Sequence, residues 1–169
     1  MKLEVVLGDI TEQVVDAVVT AANEPLRGGG GVDRAVHTAA EPQLLLACRP
    51  LAPCPPGSAV ITPAFELAPV RWVIHAVGPR FSGAADDLEL LSSAYRSALA
   101  RADEVGARTV AFPSISTGSY RYPAEEAAQL SVQTLRAAAT DVQRIVLVAR
   151  SPDMAQRWQR ALQGPLPRE

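Results

Sequence analysis

Residues 20–37 read Thr-Ala-Ala-Asn-Glu-Pro-Leu-Arg-Gly-Gly-Gly-Gly-Val-Asp-Arg-Ala-Val-His, so that four consecutive glycines join a segment typical of a buried strand to one typical of a helix. Because glycine has no Cβ, the N–H groups of such a loop can turn toward a bound anion, and the start of the following helix adds partial positive charge. Asp33 and His37 are four residues apart, so a helix places both side chains on one face beside the loop. The stretch therefore predicts an anion-binding loop next to an ionisable pair.

Two familiar phosphate-binding motifs do not fit these glycines. A dinucleotide fingerprint needs a third glycine where this chain has Asp33 or Arg34, depending on the register. A Walker loop needs Lys and then Ser or Thr after its last glycine, and Val32 and Asp33 follow here. A surface loop without a ligand is the remaining alternative, although four glycines are costly to order without one.

Strand patterns and helix patterns alternate along the whole chain. Helical periodicity follows the glycines and recurs over residues 88–102, 127–138 and 154–162, with Pro123 expected at the first position of its helix. Most strand segments lack in/out alternation, as expected of strands covered on both faces. These apolar β-branched runs are residues 3–7, 14–19, 58–62, 71–77, 109–113 and 144–149. The pattern predicts an α/β fold, a three-layer α/β/α domain with a largely parallel sheet, in which ligands bind beyond the carboxyl ends of strands.

Two other segments follow predicted strands and are therefore candidates for the same ligand. Residues 114–120 combine small hydroxyl side chains with a glycine, which makes a second anion-binding loop or an ordinary connection. Asp9, in Gly8-Asp-Ile-Thr11, is expected to cap the short turn that begins at Ile10. Their joint placement after strands of one sheet favours a shared site.

Length, composition and net charge limit the number of domains and the classes of partner that fit this chain. The chain has 169 residues, 48% of them hydrophobic, which fits one domain over residues 1–163, with residues 164–169 expected to form a frayed tail. A net charge of −2 with scattered basic residues disfavours nonspecific binding to nucleic acid. Neither a signal peptide nor a membrane span is indicated, so a cytoplasmic protein is expected.

Cysteine and histidine are scarce, and their sequence context indicates structural roles. Cys48 and Cys54 flank a proline-rich loop without a histidine or second pair nearby in the sequence, so buried or idle thiols are expected. His75 lies in an apolar run and is interpreted as a satisfied structural histidine. No cluster of His, Cys and carboxylate is expected to offer a metal site, and no cofactor is expected.

Five spaced motifs together resemble the macrodomain family and, within it, the MacroD-like branch of ADP-ribose-binding hydrolases. They match that family in order and spacing from residue 3 to about residue 163. The motifs are Gly8-Asp-Ile-Thr11, Ala21-Ala-Asn23, Gly28-Gly-Gly-Gly-Val-Asp33 with His37, Ile74-His-Ala-Val-Gly-Pro79 and Ser114-Ile-Ser-Thr-Gly118. Five such motifs are far more specific than one glycine run. The resemblance implies a mixed six-stranded sheet with ADP-ribose in a cleft at its crest.

The resemblance also implies a role for each matching residue. Asp33 takes the catalytic acidic position, with Asn23 and His37 beside it. Asp9 accepts from the adenine amino group and the backbone of Ile10 contacts the ring. Asn23 holds the distal ribose, which Tyr120 packs against. The remaining ligand-binding positions line the phosphates and the ribose: Ala21, Gly30, Gly31, Val32, Ser114, Ser116, Thr117, Gly118 and Ser119.

Three positions depart from the family pattern. Thr20 replaces the first asparagine of Asn-Ala-Ala-Asn, which predicts altered hydrogen bonding behind the site rather than lost activity. Ser119 replaces an apolar residue, and Arg121 replaces a glycine that supplies a special backbone angle.

The resulting expectation is a monomeric hydrolase that removes mono-ADP-ribose from acidic side chains of proteins and deacetylates O-acetyl-ADP-ribose. Its partners are ADP-ribose, O-acetyl-ADP-ribose and ADP-ribosylated proteins. Two other classes stay open: a non-catalytic module that binds ADP-ribose, and an antitoxin-like domain that removes ADP-ribose from DNA. The pairing of Asp33 with His37 favours the enzyme, and the acidic net charge argues against the DNA substrate.

Overall fold

The structure, a computed structural model, describes residues 1–164. The strands are β1 (Lys2–Leu7), β2 (Ala17–Ala21), β3 (Ala59–Pro63), β4 (Trp72–Ala76), β5 (Thr109–Phe112) and β6 (Arg144–Ala149). The helices are α1 (Gly31–Ala40), α2 (Gln43–Cys48), α3 (Asp86–Glu104), α4 (Ala124–Ala137) and α5 (Pro152–Gln163). Beyond Gly164, the expected frayed tail lies outside the described residues.

The strands form one mixed sheet in the order β1-β6-β5-β2-β4-β3. Strand β3 runs antiparallel to β4, and every other neighbouring pair is parallel. The expected six-stranded, largely parallel sheet is confirmed. Among residues 1–164, no helix combines the length and apolar character needed to cross a membrane.

Helices cover both faces of the sheet, which makes the three layers. On one face, α3, α4 and α5 enclose a core that includes Tyr95, Phe112 and Trp158, each fully buried. On the other face, α1 and α2 contribute Val36 and Leu44 to a second core. Residues of β2 enter the two cores alternately, so the strand is buried on both sides, as its unbroken apolar run predicts.

The local differences from prediction have identifiable causes. Strand β2 begins at Ala17 rather than at residue 14, because Asp16 makes hydrogen bonds with Thr109 instead of continuing the strand. Val14, predicted in the strand, is 75% exposed and lies outside it. Pro123 is the residue before α4 rather than its first residue. Helix α2 was not predicted from the sequence, since it is only six residues long.

The connections after β2 and β5 decide where a ligand can enter. These strands are neighbours, but α1, which follows β2, packs on one face of the sheet, and α4, which follows β5, packs on the other. Their ladder covers only Ala17↔Val110 and Val18↔Ala111, so the strands do not pair at their carboxyl ends. A crevice between diverging loops of this kind is the usual ligand site of an open α/β sheet.

Candidate active site

A cleft of about 630 Å³ opens at this crevice. Its volume lies within the usual range of sites that bind small molecules and cofactors. The predicted residues that line it are Ala21, Asn23, Gly30, Gly31, Val32, Asp33, Ser114, Ser116, Thr117, Gly118, Ser119 and Tyr120. The fold thus brings the two predicted anion-binding loops together, one on each side of the crevice.

The glycine loop ends in a helix start without a side-chain cap. Gly30 is the N-cap residue of α1 and can offer no side-chain acceptor. The first N–H groups of a helix have no partner within it, so they attract an anion. A Cβ built on Gly30 meets nothing within 4 Å, which leaves this part of the loop open to the cleft.

Asn23 stabilises the conformation of the glycine loop through hydrogen bonds to its backbone. Its Nδ2 donates to the carbonyl of Gly28 at 3.2 Å, and its Oδ1 accepts from the backbone N–H of Arg27 at 3.2 Å. Gly28 has φ +81°, a left-handed conformation that favours glycine, and a Cβ there would lie 3.7 Å from the His37 ring. Asn23 therefore has a structural role in addition to the ribose contact predicted for it.

Asp33 is a buried carboxyl with three neighbours. It is 1% exposed, and its Oδ1 accepts from the Thr20 hydroxyl at 2.9 Å. Its Oδ2 accepts from the Gly29 backbone N–H at 2.8 Å, and His37 Nε2 lies 3.5 Å from Oδ1. Burial raises the pKa of Asp33 above its ordinary value, while His37 and the bonds from Thr20 and Gly29 oppose the rise.

The second loop carries a buried hydroxyl that lacks a partner. Ser116 is 6% exposed and lines the cleft, yet its Oγ makes no hydrogen bond with any described residue. Such groups are rare in folded proteins and call for an explanation, which a ligand oxygen would supply. Gly78 permits this placement, since a Cβ there would lie 2.1 Å from Ser116 Oγ.

Tyr95 fixes the start of the second loop from below. Its hydroxyl accepts from the Ile115 backbone N–H at 3.1 Å, and the residue is fully buried in α3. Burial raises the pKa of Tyr95 to about 12, so the hydroxyl stays protonated. Sequence analysis placed Tyr95 only in an apolar stripe, because nothing local shows its bond to a residue 20 positions away.

Two arginines that sequence analysis missed stand toward opposite ends of the cleft. Arg80 follows β4, and its guanidinium lies 4.6 Å from the centroid of the Tyr120 ring. Arg150 follows β6, and its Nη1 lies 3.3 Å from the position of a Cβ on Gly31. The sequence signal that could have identified them is their position, since Arg150 directly follows a predicted strand and Arg80 directly follows the motif that ends at Pro79.

Three predicted residues do not line the cleft. Asp9 accepts from the backbone N–H and hydroxyl of Thr11 at 2.8 and 2.7 Å, which confirms the cap, and these bonds lower its pKa. Ile10 is 4% exposed and packs in the core near α1. His37 stands behind Asp33. The ligand contacts of Asp9 and Ile10 and the catalytic role of His37 stay predictions.

The expectation that His, Cys and carboxylate groups form no cluster is wrong. His37, Cys48 and His75 come together with one ligand atom of each within 4.8 Å of the others. Burial raises the pKa of Cys48 to about 11 and lowers that of His75 to about 3, so both are neutral near pH 7. His75 Nε2 shares a 2.9 Å hydrogen bond with the Thr62 hydroxyl, and the predicted structural role of His75 is confirmed.

Comparisons with known proteins agree with this geometry. Residues 19–131 match the family model described as Macro domain. A macro domain-containing protein of Lactiplantibacillus plantarum is 52% identical over 140 residues, covering 82% of this chain and 81% of that protein. A Klebsiella pneumoniae protein named O-acetyl-ADP-ribose deacetylase is 46% identical over 168 residues, covering 94% and 95%. A mutant Oceanobacillus iheyensis macrodomain solved with ADPR superposes with a TM-score of 0.89 at 39% identity, covering 95% of this chain and 91% of that chain.

Proposed function

This chain belongs to the Macro domain family, and from that premise we propose that it hydrolyses ADP-ribose from acidic side chains of proteins and deacetylates O-acetyl-ADP-ribose. The observation that carries the proposal is the combination in one cleft of an uncapped helix start, an unpartnered buried hydroxyl and a buried carboxyl. The relatives named O-acetyl-ADP-ribose deacetylase support the same chemistry.

The two loops bind the diphosphate. Backbone N–H groups at Gly30 and Gly31 face it from the start of α1, and Ser116 Oγ donates to it from the opposite side. Neutral donors suit a diphosphate because they bind its oxygens without the cost of burying a second set of charges. Asn23 then contacts the distal ribose next to Asp33.

Asp33 orients the water that attacks the ester. A carboxylate has about four lone-pair sites, so its bonds to Thr20 and Gly29 leave capacity for a water in the cleft. A substrate phosphate oxygen assists by taking one proton of this water and passing it to the ribose oxygen as the bond between that oxygen and the acyl carbon breaks. The ester and one water become ADP-ribose and a carboxylic acid, which ionises in solution, and acetate leaves O-acetyl-ADP-ribose in the same way. Assistance of this kind supplies roughly 10²–10⁴-fold.

The experiment compares binding with release. Asp33→Ala is expected to abolish release of ADP-ribose from a glutamate-modified protein while leaving ADP-ribose affinity within about tenfold, because it removes the water-orienting group and no phosphate contact. Asn23→Ala is expected to impair both. Calorimetry gives the affinity, and separation of free ADP-ribose gives the release.

A non-catalytic binding module is the competing function, favoured by the burial of Asp33 and by the internal bond that each of its oxygens makes. Wild-type protein that binds ADP-ribose but releases none from modified glutamate, serine, arginine or DNA, and no acetate from O-acetyl-ADP-ribose, would establish that function instead.

A further inference from the structure

A basic and aromatic surface borders the cleft where β4 ends. We call it the arginine rim and define it as Arg80, Phe81, Tyr120 and Arg121. The Arg80 guanidinium lies over the Tyr120 ring, the Phe81 N–H donates to the Tyr120 carbonyl at 2.8 Å, and the Phe81 ring packs edge-on against Tyr122. Arg80, Phe81 and Arg121 are all exposed.

The charge of the rim is not neutralised within the chain. Within residues 1–164, neither Arg80 nor Arg121 has an ion-pair partner, as is true of most arginines in this part of the chain, and Arg80 is one of the two unpaired arginines that line the cleft. Asp87, at the start of α3, is occupied by hydrogen bonds from the backbone of Ser82 and Gly83 at 2.8 and 2.9 Å. The rim therefore presents two guanidinium groups without an ion-pair partner, of which that of Arg80 stacks on Tyr120.

The rim lies toward the end of the cleft at which the proposed substrate reacts. Strand β4 lies beside β2, whose following loop carries Asn23 and Asp33, while Asp9 follows β1 at the far side of the sheet. Arg80 lines the same cleft as Asp33. A group attached to the distal ribose would thus leave the cleft on the side of the rim.

Resting on the proposed function, we propose that the arginine rim binds acidic residues of the polypeptide that flank the modified carboxylate. Carboxylates are the natural partners of free guanidinium groups, and the exposed Phe81 ring offers an apolar contact to the same segment. A nucleic acid fits less well, since binding a phosphate backbone takes an extended set of cations and the rim holds only two.

The test uses glutamate-ADP-ribosylated peptides that differ only in flanking residues, which are acidic, neutral or basic. The readout is the ratio of kcat/KM between two peptides for one protein, so any effect on the ADP-ribose site cancels. Wild-type protein is expected to favour the acidic peptide over the neutral one by roughly fivefold at low salt, the upper end for an exposed pair, and less at high salt. R80Q is expected to lower this ratio part of the way to one, because Arg121 remains, and the double variant R80Q/R121Q is expected to bring it near one.

R96Q is the matched control, because Arg96 is an exposed arginine on α3 that already pairs with Glu89. Its ratio is expected to equal that of the wild type. An equal preference for all three peptides in the wild type, or an unchanged ratio in R80Q, would overturn the proposal. So would an Arg80-dependent preference for ADP-ribosylated DNA over the acidic peptide.

Failure of the proposed function is recognised separately. If neither the peptides nor O-acetyl-ADP-ribose are hydrolysed, the chain is not this hydrolase. The peptide preference is then measured as the ratio of the dissociation constants of two modified peptides for one protein. An acidic preference in binding that R80Q lowers and R80Q/R121Q removes would then still support the rim.

Discussion

Thr20, which stands where the resembled family motif has asparagine, bonds directly to the buried carboxyl of the cleft. The family asparagine is absent, but the Thr20 hydroxyl donates to Asp33 Oδ1 from the end of β2 and is itself fully buried. This bond favours the ionised carboxylate and opposes the effect of burial on its pKa. Thr20 thus lowers the pKa of Asp33, against the effect of burial.

Thr20→Val is therefore expected to move the acid limb of the pH profile. In the proposed mechanism the carboxylate form of Asp33 orients the attacking water, so activity is expected to fall as the pH drops through its pKa, which burial raises above its ordinary value. Loss of the Thr20 bond raises that pKa further and shifts the limb of kcat/KM to higher pH. Thr20→Ser retains the donor and should restore the wild-type profile. An unshifted limb in Thr20→Val would show that the bond does not act on the reacting carboxylate.

Arg121 stores backbone strain in the second loop. Its φ is +61°, a left-handed conformation that favours glycine, the residue expected at this position from the family resemblance. This conformation costs a residue with a Cβ about 1–2 kcal/mol, while glycine adds about 0.5–1 kcal/mol of unfolded-state entropy. Arg121→Gly should raise the free energy of unfolding by about 0.5–1 kcal/mol in urea titrations. Arg121→Ala removes the same charge but keeps the Cβ, so it should leave the free energy of unfolding unchanged. Equal stabilisation by both variants would show that the loss of charge, and not the relief of backbone strain, is the cause.

At the scale of elements, helix α3 supports a loop that is distant in the sequence. The hydroxyl of Tyr95 is the acceptor for the Ile115 N–H, directly before the unpartnered Ser116. Tyr95→Phe leaves a buried N–H unsatisfied, which should cost about 1–3 kcal/mol of stability and weaken ADP-ribose binding by loosening the loop. Tyr122→Phe is the control, since it removes the hydroxyl of a second buried tyrosine that does not support the Ile115 N–H, and it should stay within about 0.5 kcal/mol. If denaturation and calorimetry showed equal losses of stability and of ADP-ribose affinity for both variants, Tyr95 would not support the second loop through its hydroxyl.

Elements were predictable where the signal is local. All six strands, the helix after the glycines and the Asp9 cap follow from apolar runs, spacing and capping chemistry. Helix α2 lies between Pro42 and Pro50 and is too short for a periodic signal. The resemblance named most cleft residues, but not the bonds of Thr20 to Asp33 or of Ile115 to Tyr95, which depend on tertiary packing.

At the scale of the whole molecule, the cleft extends along the carboxyl edge of the sheet. Arg150 follows β6 and Arg80 follows β4, which are three strand spacings apart, or about 14 Å. A ligand of that length contacts both loops and the ends of four strands at once. The sheet order thus turns loops that are far apart in the sequence into one continuous binding surface.

This span predicts how affinity depends on ligand length. ADP-ribose should bind one-to-one and more tightly than ADP, and ADP more tightly than AMP, because each added group meets a further part of the cleft between Arg150 and Asn23. Calorimetry with the three ligands measures this. Asn23→Ala should lower the affinity for ADP-ribose toward that for ADP and should weaken ADP less, since only ADP-ribose carries the distal ribose. Equal affinities of the wild type for ADP and ADP-ribose would mean that the glycine-loop end of the cleft contributes no binding energy, and both the ribose contact of Asn23 and the proximity of Asp33 to the reacting bond would have to be abandoned.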